Sequence, residues 1–569
     1  MLPAFLRTCS RTLALVLCVA ASFCVARGLQ QTLPATGSPV ATGMSARLQE
    51  IAAAGKLPDL RWPNFSDYRA DFSTLYQGSN FAPLWLNANG QPSAQALAVI
   101  QALESSREKG LIADDYDAAR WPGRVAALKS KPDPTLEANF DAALTVCTLR
   151  FISDLHIGRV NPKHFKFGID IHNKKYNLPQ LVSQDVIHAA NVQAILNEAE
   201  PPYAGYKRTE VALQRYLQLA AKGDGPLLPE VTKTIAPGEM YAGVSQLAQR
   251  LELFGDLPQN ASVDAGSQIY SGALVDGVKL FQDRHGMPAD GKLGKETIRQ
   301  LNVPLSFRVQ QLDDAMERWR WLPPSFPQPP VVVNVPEFVL RVFTADHKVA
   351  LRMNVIVGKS VRHQTPVFAQ DMQYIVFRPY WNVPTSILRS EIVPAIVKNR
   401  NYIANKNFEV VTYSGTVVTS GPINDDVLAQ LRAAKLMVRQ KPGSDNALGL
   451  VKFLFPNEHS VYLHSTPAQS LFSQSRRDFS HGCIRVQKPA ELAAYLLRNQ
   501  PPWTLEKVRA AMQTGPNNQQ VNLKAPVPVL ILYITAVVEE DGSVHFFNDI
   551  YGHDKSLEAL LAKGPPYPG

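Results

Sequence analysis

The sequence predicts a multidomain α+β protein: a helical scaffold, a small three-helix module, and a mostly-β domain with a helical insertion. Three observations predict it. From Leu60 to about Ala236, apolar residues recur at helical spacing, most clearly over Ser93 to Ile100 and Leu136 to Leu155. Between about Met240 and Val303, three short amphipathic runs surround an Asp290-Gly291 turn. From Val331 onward, β-branched and aromatic runs alternate with Pro and Gly breaks.

Composition bounds the function class. At 569 residues the chain is long enough for several domains with a sizeable core. Its 45% hydrophobic and 19% charged content is ordinary for a globular protein. The net charge of +9 comes from 58 basic and 49 acidic residues that are dispersed along the chain. Dispersed charge argues against nucleic acid as a partner and is compatible with an anionic polymer.

Residues 1–26 read as a secretory signal. Arg7 and Arg11 supply the positive region, Leu13 to Val19 is an apolar core too short to span a bilayer, and Cys24-Val25-Ala26 offers small residues for cleavage. An uncleaved N-terminal membrane anchor is the competing reading. Cys9, Cys18 and Cys24 fall within this segment, so the mature chain keeps Cys147 and Cys483. A disulfide between those two would abolish a reactive thiol at 483.

Residues 27–58 mix Gly, Pro, Ser, Thr and Ala and read as a flexible lead. Residues 59–236 form the helical scaffold, closed by Pro237-Gly238. Residues 237–303 form the three-helix module. Residues 304–330 are a linker, with a helix from Leu305 to Leu322 that carries Trp319 and Trp321 and ends at Pro323-Pro324. Residues 331–524 form the β domain, with strands at Val331 to Val335, Phe338 to Phe343, Met353 to Val357 and Gln373 to Phe377. An insertion at about 385–445 reads as two helices, Ile387 to Lys398 and Val427 to Ala434, placed to act as a lid. Residues 525–569 give an apolar run, an Asp541-Gly542 turn and Val544 to Phe547, a hairpin that either completes the sheet or docks on the scaffold.

The chemistry concentrates in Ser480-His481-Gly482-Cys483-Ile484-Arg485-Val486 and in His464-Ser465 upstream. A thiol needs a base to become a nucleophile, and His464 is the candidate for Cys483. Gly482 lacks a side chain, so a substrate carbonyl can approach the amides of His481, Gly482 and Cys483 as an oxyanion hole. The thiolate is the reactive form, which leads to the expectation of a depressed Cys483 pKa. Ile484 and Val486 alternate with Arg485, a strand pattern that puts Arg485 on the opposite face. Cys147, inside the apolar run Thr145 to Leu149, reads instead as a small buried hydrophobe. Zinc ligation by His464, His481 and Cys483 is a competing reading, but a zinc site calls for a fourth donor that the sequence does not show.

His464-Ser465 followed by Ser480-His481-Gly482-Cys483-Ile484-Arg485 resembles the signature of L,D-transpeptidases, cysteine enzymes that cross-link peptidoglycan. Asn446-Ala447-Leu448-Gly449, Phe455-Pro456-Asn457, and Leu471-Phe472 with Arg477 resemble the large periplasmic subfamily of Gram-negative bacteria. Pro83 to Leu86 and Asp154 to Pro162 resemble its helical scaffold; their expected role is helix packing followed by a turn at Gly158 and Pro162, with no chemistry there. Phe281-Gln282-Asp283-Arg284-His285-Gly286 with the Asp-Gly turn resembles the small peptidoglycan-binding domain.

The resemblance implies a mostly-β L,D-transpeptidase catalytic domain with a capping insertion, working in the periplasm on peptidoglycan stem peptides. It implies 3→3 cross-linking through a Cys483 thioester and calls for no metal or organic cofactor. The Ser465 carbonyl would orient His464. Arg485 would hold a substrate carboxylate or simply pack under its strand. Tyr380 and Trp381, at the entrance to the insertion, would touch substrate. Two alternatives stay open: an L,D-carboxypeptidase or amidase using the same site, and a non-catalytic wall-binding protein.

Overall fold

A computed structural model describes residues 43–130, 133–174, 177–258, 261 and 266–568. The expected signal and the first part of the lead lie outside these residues. The lead reads as flexible to residue 58, but a helix already spans Gly43–Ala54. It buries Met44, Leu48, Ile51 and Ala52, because those apolar residues share one face. No helix among the described residues is long and apolar enough to cross a membrane.

The scaffold is built on the helix Pro134–Ile157, whose N-cap Asp133 accepts a hydrogen bond from the Thr135 amide. Cys147 is fully buried in this helix and free of any disulfide. Asp141, on the same helix, accepts the amides of Leu84 and Trp85 and the Tyr76 hydroxyl. Pro83 to Leu86 is therefore a structural anchor. Burial raises the Asp141 pKa to about 6, and these three donors hold it down from a higher value.

In the three-helix module, the helices are Val244–Phe254, Ala273–Arg284 and Lys295–Leu301. Gln282 clamps the Asp-Gly turn: its amide nitrogen donates to the Lys292 carbonyl at 2.9 Å and its oxygen accepts the Gly291 amide at 2.8 Å. Gly291 has φ +68°, a left-handed turn position that favours glycine.

The helix Leu305–Arg320 is more than the linker its position suggests. It is buried along nearly its whole length, charged residues included. Glu317 accepts the amides of Arg159 and Val160 and the Arg159 guanidinium, which ties the scaffold helix end to this central helix.

The β domain contains β1 (Val331–Asn334), β2 (Val339–Phe343), β3 (Val349–Gly358) and β4 (Phe368–Phe377). The insertion contributes β5 (Trp381–Asn382), β6 (Phe408–Val411), β7 (Val417–Thr419) and β8 (Met437–Gln440). The main sheet resumes with β9 (Val451–Leu454), β10 (Leu463–His464), β11 (Asp478–Ser480), β12 (Ile484–Val486) and β13 (Gln519–Leu532). The strand order is β11-β3-β12-β10-β9-β4-β13-β1-β2, and β2 also pairs with β3. Eight strands thus close into a circuit, which removes exposed edges. The expected domain boundary at 524/525 falls inside β13, which pairs with β4 on both sides of that point and with β1 beyond it. The sheet therefore runs to Leu532.

The insertion is not purely helical. The order β5-β8-β6-β7 is a sheet of its own, and it shares a separate core with helical residues Leu388, Ile392, Ile396 and Leu431. Its sheet begins at Trp381, four residues before the expected start. The final hairpin, β14 (Ala536–Val538) with β15 (Val544–Phe546), stands outside the main sheet. It docks on the scaffold instead: Arg208 donates to the Val538 carbonyl, and Tyr216 meets Phe546 edge-on at 5.4 Å.

Candidate active site

The site forms where β10 lies parallel to β12. Leu463 pairs with Ile484 and His464 with Arg485. Ile484, Val486 and Leu463 are buried in the core, so the alternate residues of both strands share the other face. That face carries Tyr462, His464, Cys483 and Arg485. Lys452 of β9 stands opposite His464 and extends the row.

His464 is buried, and its Nδ1 lies 2.6 Å from the Ser465 carbonyl oxygen. A carbonyl only accepts, so Nδ1 carries the proton and the neutral ring keeps its lone pair on Nε2. Burial lowers the His464 pKa to about 3, helped by the Arg485 and Lys452 charges and opposed by the carbonyls of Ser465 and Leu448. The imidazole is uncharged throughout the neutral range.

Cys483 is half-buried and free, which rules out the disulfide with Cys147 in this structure. Its thiol donates weakly to the Ser460 carbonyl at 3.8 Å. The Cys483 pKa is raised, contrary to the expected depression. Burial of the thiol outweighs the opposing pull of the Tyr462 hydrogen bonds and the Arg485 charge. Among the described residues, Sγ has no hydrogen bond to His464. The rings of Tyr462 and His464 meet edge-on at 5.8 Å, and Tyr462 hydrogen-bonds the cysteine.

The turn before Cys483 is braced internally. Ser480 Oγ accepts the Gly482 amide at 3.1 Å and donates to the Cys483 carbonyl at 2.6 Å. This corrects the expectation of three oxyanion donors, because the Gly482 amide is already engaged. The Cys483 amide has no hydrogen-bond partner among the described residues. Gly482 itself adopts φ +114°, which a side chain would strain.

His481 points elsewhere. Its Nε2 lies 2.8 Å from Glu391 of the insertion, and its ring meets His363 edge-on at 4.8 Å. His464 and His481 thus serve different partners, and among the described residues no cluster of three His, Cys, Asp or Glu is arranged to hold a metal. Arg485 is half-buried beside Cys483, and its Nε has no hydrogen-bond partner among the described residues. Tyr380 and Trp381 are not brought to the cysteine by the contacts they make: the Arg439 guanidinium stacks on Tyr380 at 4.4 Å, and Trp381 packs on Phe408 inside the insertion.

Tyr462, Lys452, Thr365 and Glu391 escaped the sequence reading. Tyr462 had a signal, since it sits two residues before His464 in a strand and so shares its face. The other three are distant in sequence and carried none.

Comparison with known proteins follows the same division of the chain. Residues 329–529 match the family model of the L,D-transpeptidase catalytic domain, 70–213 match the scaffold domain, and 241–301 match a domain described as "Putative peptidoglycan binding domain". A Haemophilus influenzae protein named "Putative L,D-transpeptidase" is 30% identical over 370 residues, covering 61% of this chain and 74% of that protein. The chain belongs to the L,D-transpeptidase family. As an L,D-transpeptidase family member it has peptidoglycan as its substrate class. The phrases that resemble this family's signature, His464-Ser465 and Ser480 to Arg485, lie within the matched catalytic domain, where β10 and β12 bring them side by side.

Proposed function

We propose that this protein transfers acyl groups between peptidoglycan stem peptides through a thioester on Cys483, forming 3→3 cross-links. The observation that carries the reading is the parallel pairing of β10 with β12, which sets His464, its proton pinned to Ser465, on the same face as Cys483. Cys483 Sγ attacks the carbonyl carbon of the L,D bond before the terminal D-Ala of a tetrapeptide stem. His464 Nε2 takes the thiol proton, and the Cys483 amide stabilises the oxyanion. The C–N bond breaks, and His464 returns the proton to the departing amine. The side-chain amine of a neighbouring diaminopimelate then attacks the thioester and gives a proton to His464; the C–S bond breaks, and His464 passes that proton to the departing sulfur, which restores the thiol and the neutral imidazole.

With the thiol pKa raised and the imidazole pKa depressed, the resting pair is thiol and neutral imidazole. Proton transfer accompanies attack and does not precede it. Arg485 and Lys452 flank His464 and supply positive charge suited to a stem-peptide carboxylate. The reading places the protein in the periplasm, where such stems are found. Intact-mass measurement after incubation with tetrapeptide muropeptides or a carbapenem tests it. A covalent adduct on Cys483 and 3→3-linked products are expected; products that are only trimmed would assign the site to hydrolysis.

A further inference from the structure

We propose that Thr365, on the loop between β3 and β4, is a positioning residue that sets the Gly482–Cys483 peptide plane for catalysis; the inference rests on Cys483 being the nucleophile. Thr365 is fully buried. Its Oγ1 donates to the Gly482 carbonyl at 2.8 Å and accepts the Gly358 amide at 2.9 Å. One hydroxyl therefore uses its donor on the turn and an acceptor site on the end of β3.

The consequence follows from peptide geometry. The Gly482 carbonyl and the Cys483 N–H belong to one planar unit and point in opposite directions. Holding the carbonyl against Thr365 turns the Cys483 N–H away from the loop. That N–H is the one without a partner among the described residues, and it belongs to the proposed nucleophile. The bond from Thr365 also polarises the peptide unit, which strengthens its N–H as a donor. Gly482, with φ +114°, has soft torsions, so a plane beside it needs an external clamp.

The loop that presents Thr365 is itself held from the C-terminal segment. Tyr551 Oη accepts the Thr365 amide at 3.2 Å and donates to the Gly358 carbonyl at 2.6 Å. The Tyr551 amide donates to Tyr533 Oη, whose proton goes to Asp549. Gly358 leaves no slack: a Cβ there would fall 1.9 Å from the His363 carbonyl oxygen. Thr365 and Tyr551 therefore link the end of the chain to the catalytic turn through four hydrogen bonds, none of which touches substrate.

The test compares full-length wild type, Thr365→Val, Thr365→Ser and Tyr551→Phe. Two rates are read: Cys483 acylation by a tetrapeptide stem, with kcat and KM separated, and alkylation by iodoacetamide, which needs no oxyanion donor. Loss of one oxyanion donor costs about 100- to 1,000-fold, and a misaligned donor costs less. Thr365→Val is expected to lower kcat about 10- to 100-fold with KM and alkylation little changed. Thr365→Ser, which keeps the hydroxyl, should stay within about threefold of wild type. Tyr551→Phe should lower kcat about tenfold with alkylation unchanged, and it decides the matter if Thr365→Val does not fold. A wild-type kcat in Thr365→Val, or Thr365→Ser as slow as Thr365→Val, overturns the role of the hydroxyl while the wild-type adduct on Cys483 still stands. No wild-type adduct on Cys483 at all would overturn the nucleophile and this inference with it.

Discussion

Glu391 of the insertion lies 2.8 Å from Nε2 of His481, two residues before Cys483. The insertion has its own core and its own sheet, so this contact joins it to the turn before Cys483. A cap so attached can cover the cysteine and exclude water when the acceptor amine is in place.

Replacing residues 381–445 with a short Gly-Ser linker should spare iodoacetamide alkylation of Cys483 and lower the ratio of cross-linked to hydrolysed product. Glu391→Ala should move that ratio in the same direction by a smaller amount. Product analysis by mass spectrometry, with the alkylation rate as the control for folding, measures both. An unchanged ratio in the linker variant would remove the cap from the mechanism.

His464 and His481 should separate on mutation. His464→Ala removes the imidazole on the face shared with Cys483, and stem-peptide acylation should fall by about 100-fold or more. His481→Ala leaves the backbone amides in place and should cost about tenfold or less, through the lost contact with Glu391. Acylation rates of the two variants, measured with the same muropeptide donor, give the comparison. Equal losses would reverse the assignment of the base.

The pH dependence of alkylation should follow the thiol alone. The thiolate is the reactive species, and the Cys483 pKa lies above its usual value because burial disfavours the charge. The His464 pKa of about 3 keeps the imidazole neutral over the accessible range. The rate should therefore climb continuously from pH 6 to pH 9, with no plateau beginning near pH 6. A plateau in that region would mean a preformed thiolate–imidazolium pair.

Glu317→Ala should be among the most destabilising single changes at the junction of the scaffold and the central helix. Its side chain has no solvent exposure and satisfies two backbone amides and the buried Arg159 guanidinium. Removing it strands a buried charge, at a cost of about 3–5 kcal/mol. A clear fall in Tm is expected by calorimetry, with Glu317→Gln falling less because it can still accept from the amides. A wild-type Tm for Glu317→Ala would show that this junction does not hold the scaffold in place.

What the sequence determined by itself was what local pattern can encode. The 3.6-residue spacing over Leu136 to Leu155, the Asp290-Gly291 turn and the alternation Ile484-Arg485-Val486 follow from the geometry of a single helix, turn or strand. The phrases His464-Ser465 and Ser480 to Arg485 carried the family in their residue types and order. Tertiary structure decided the rest, because strand pairing and burial act between residues far apart in the chain. It buried His464, and that burial, helped by Arg485 and Lys452 on either side, keeps the histidine neutral. It buried Cys483 enough to raise its pKa where the chemistry of thiolates alone suggested a fall. It ran β13 past residue 524, since only its partners β4 and β1 define where that strand ends. It also brought Thr365 and Glu391 to the turn before Cys483 from 117 and 90 residues away, distances over which no periodicity reports a contact.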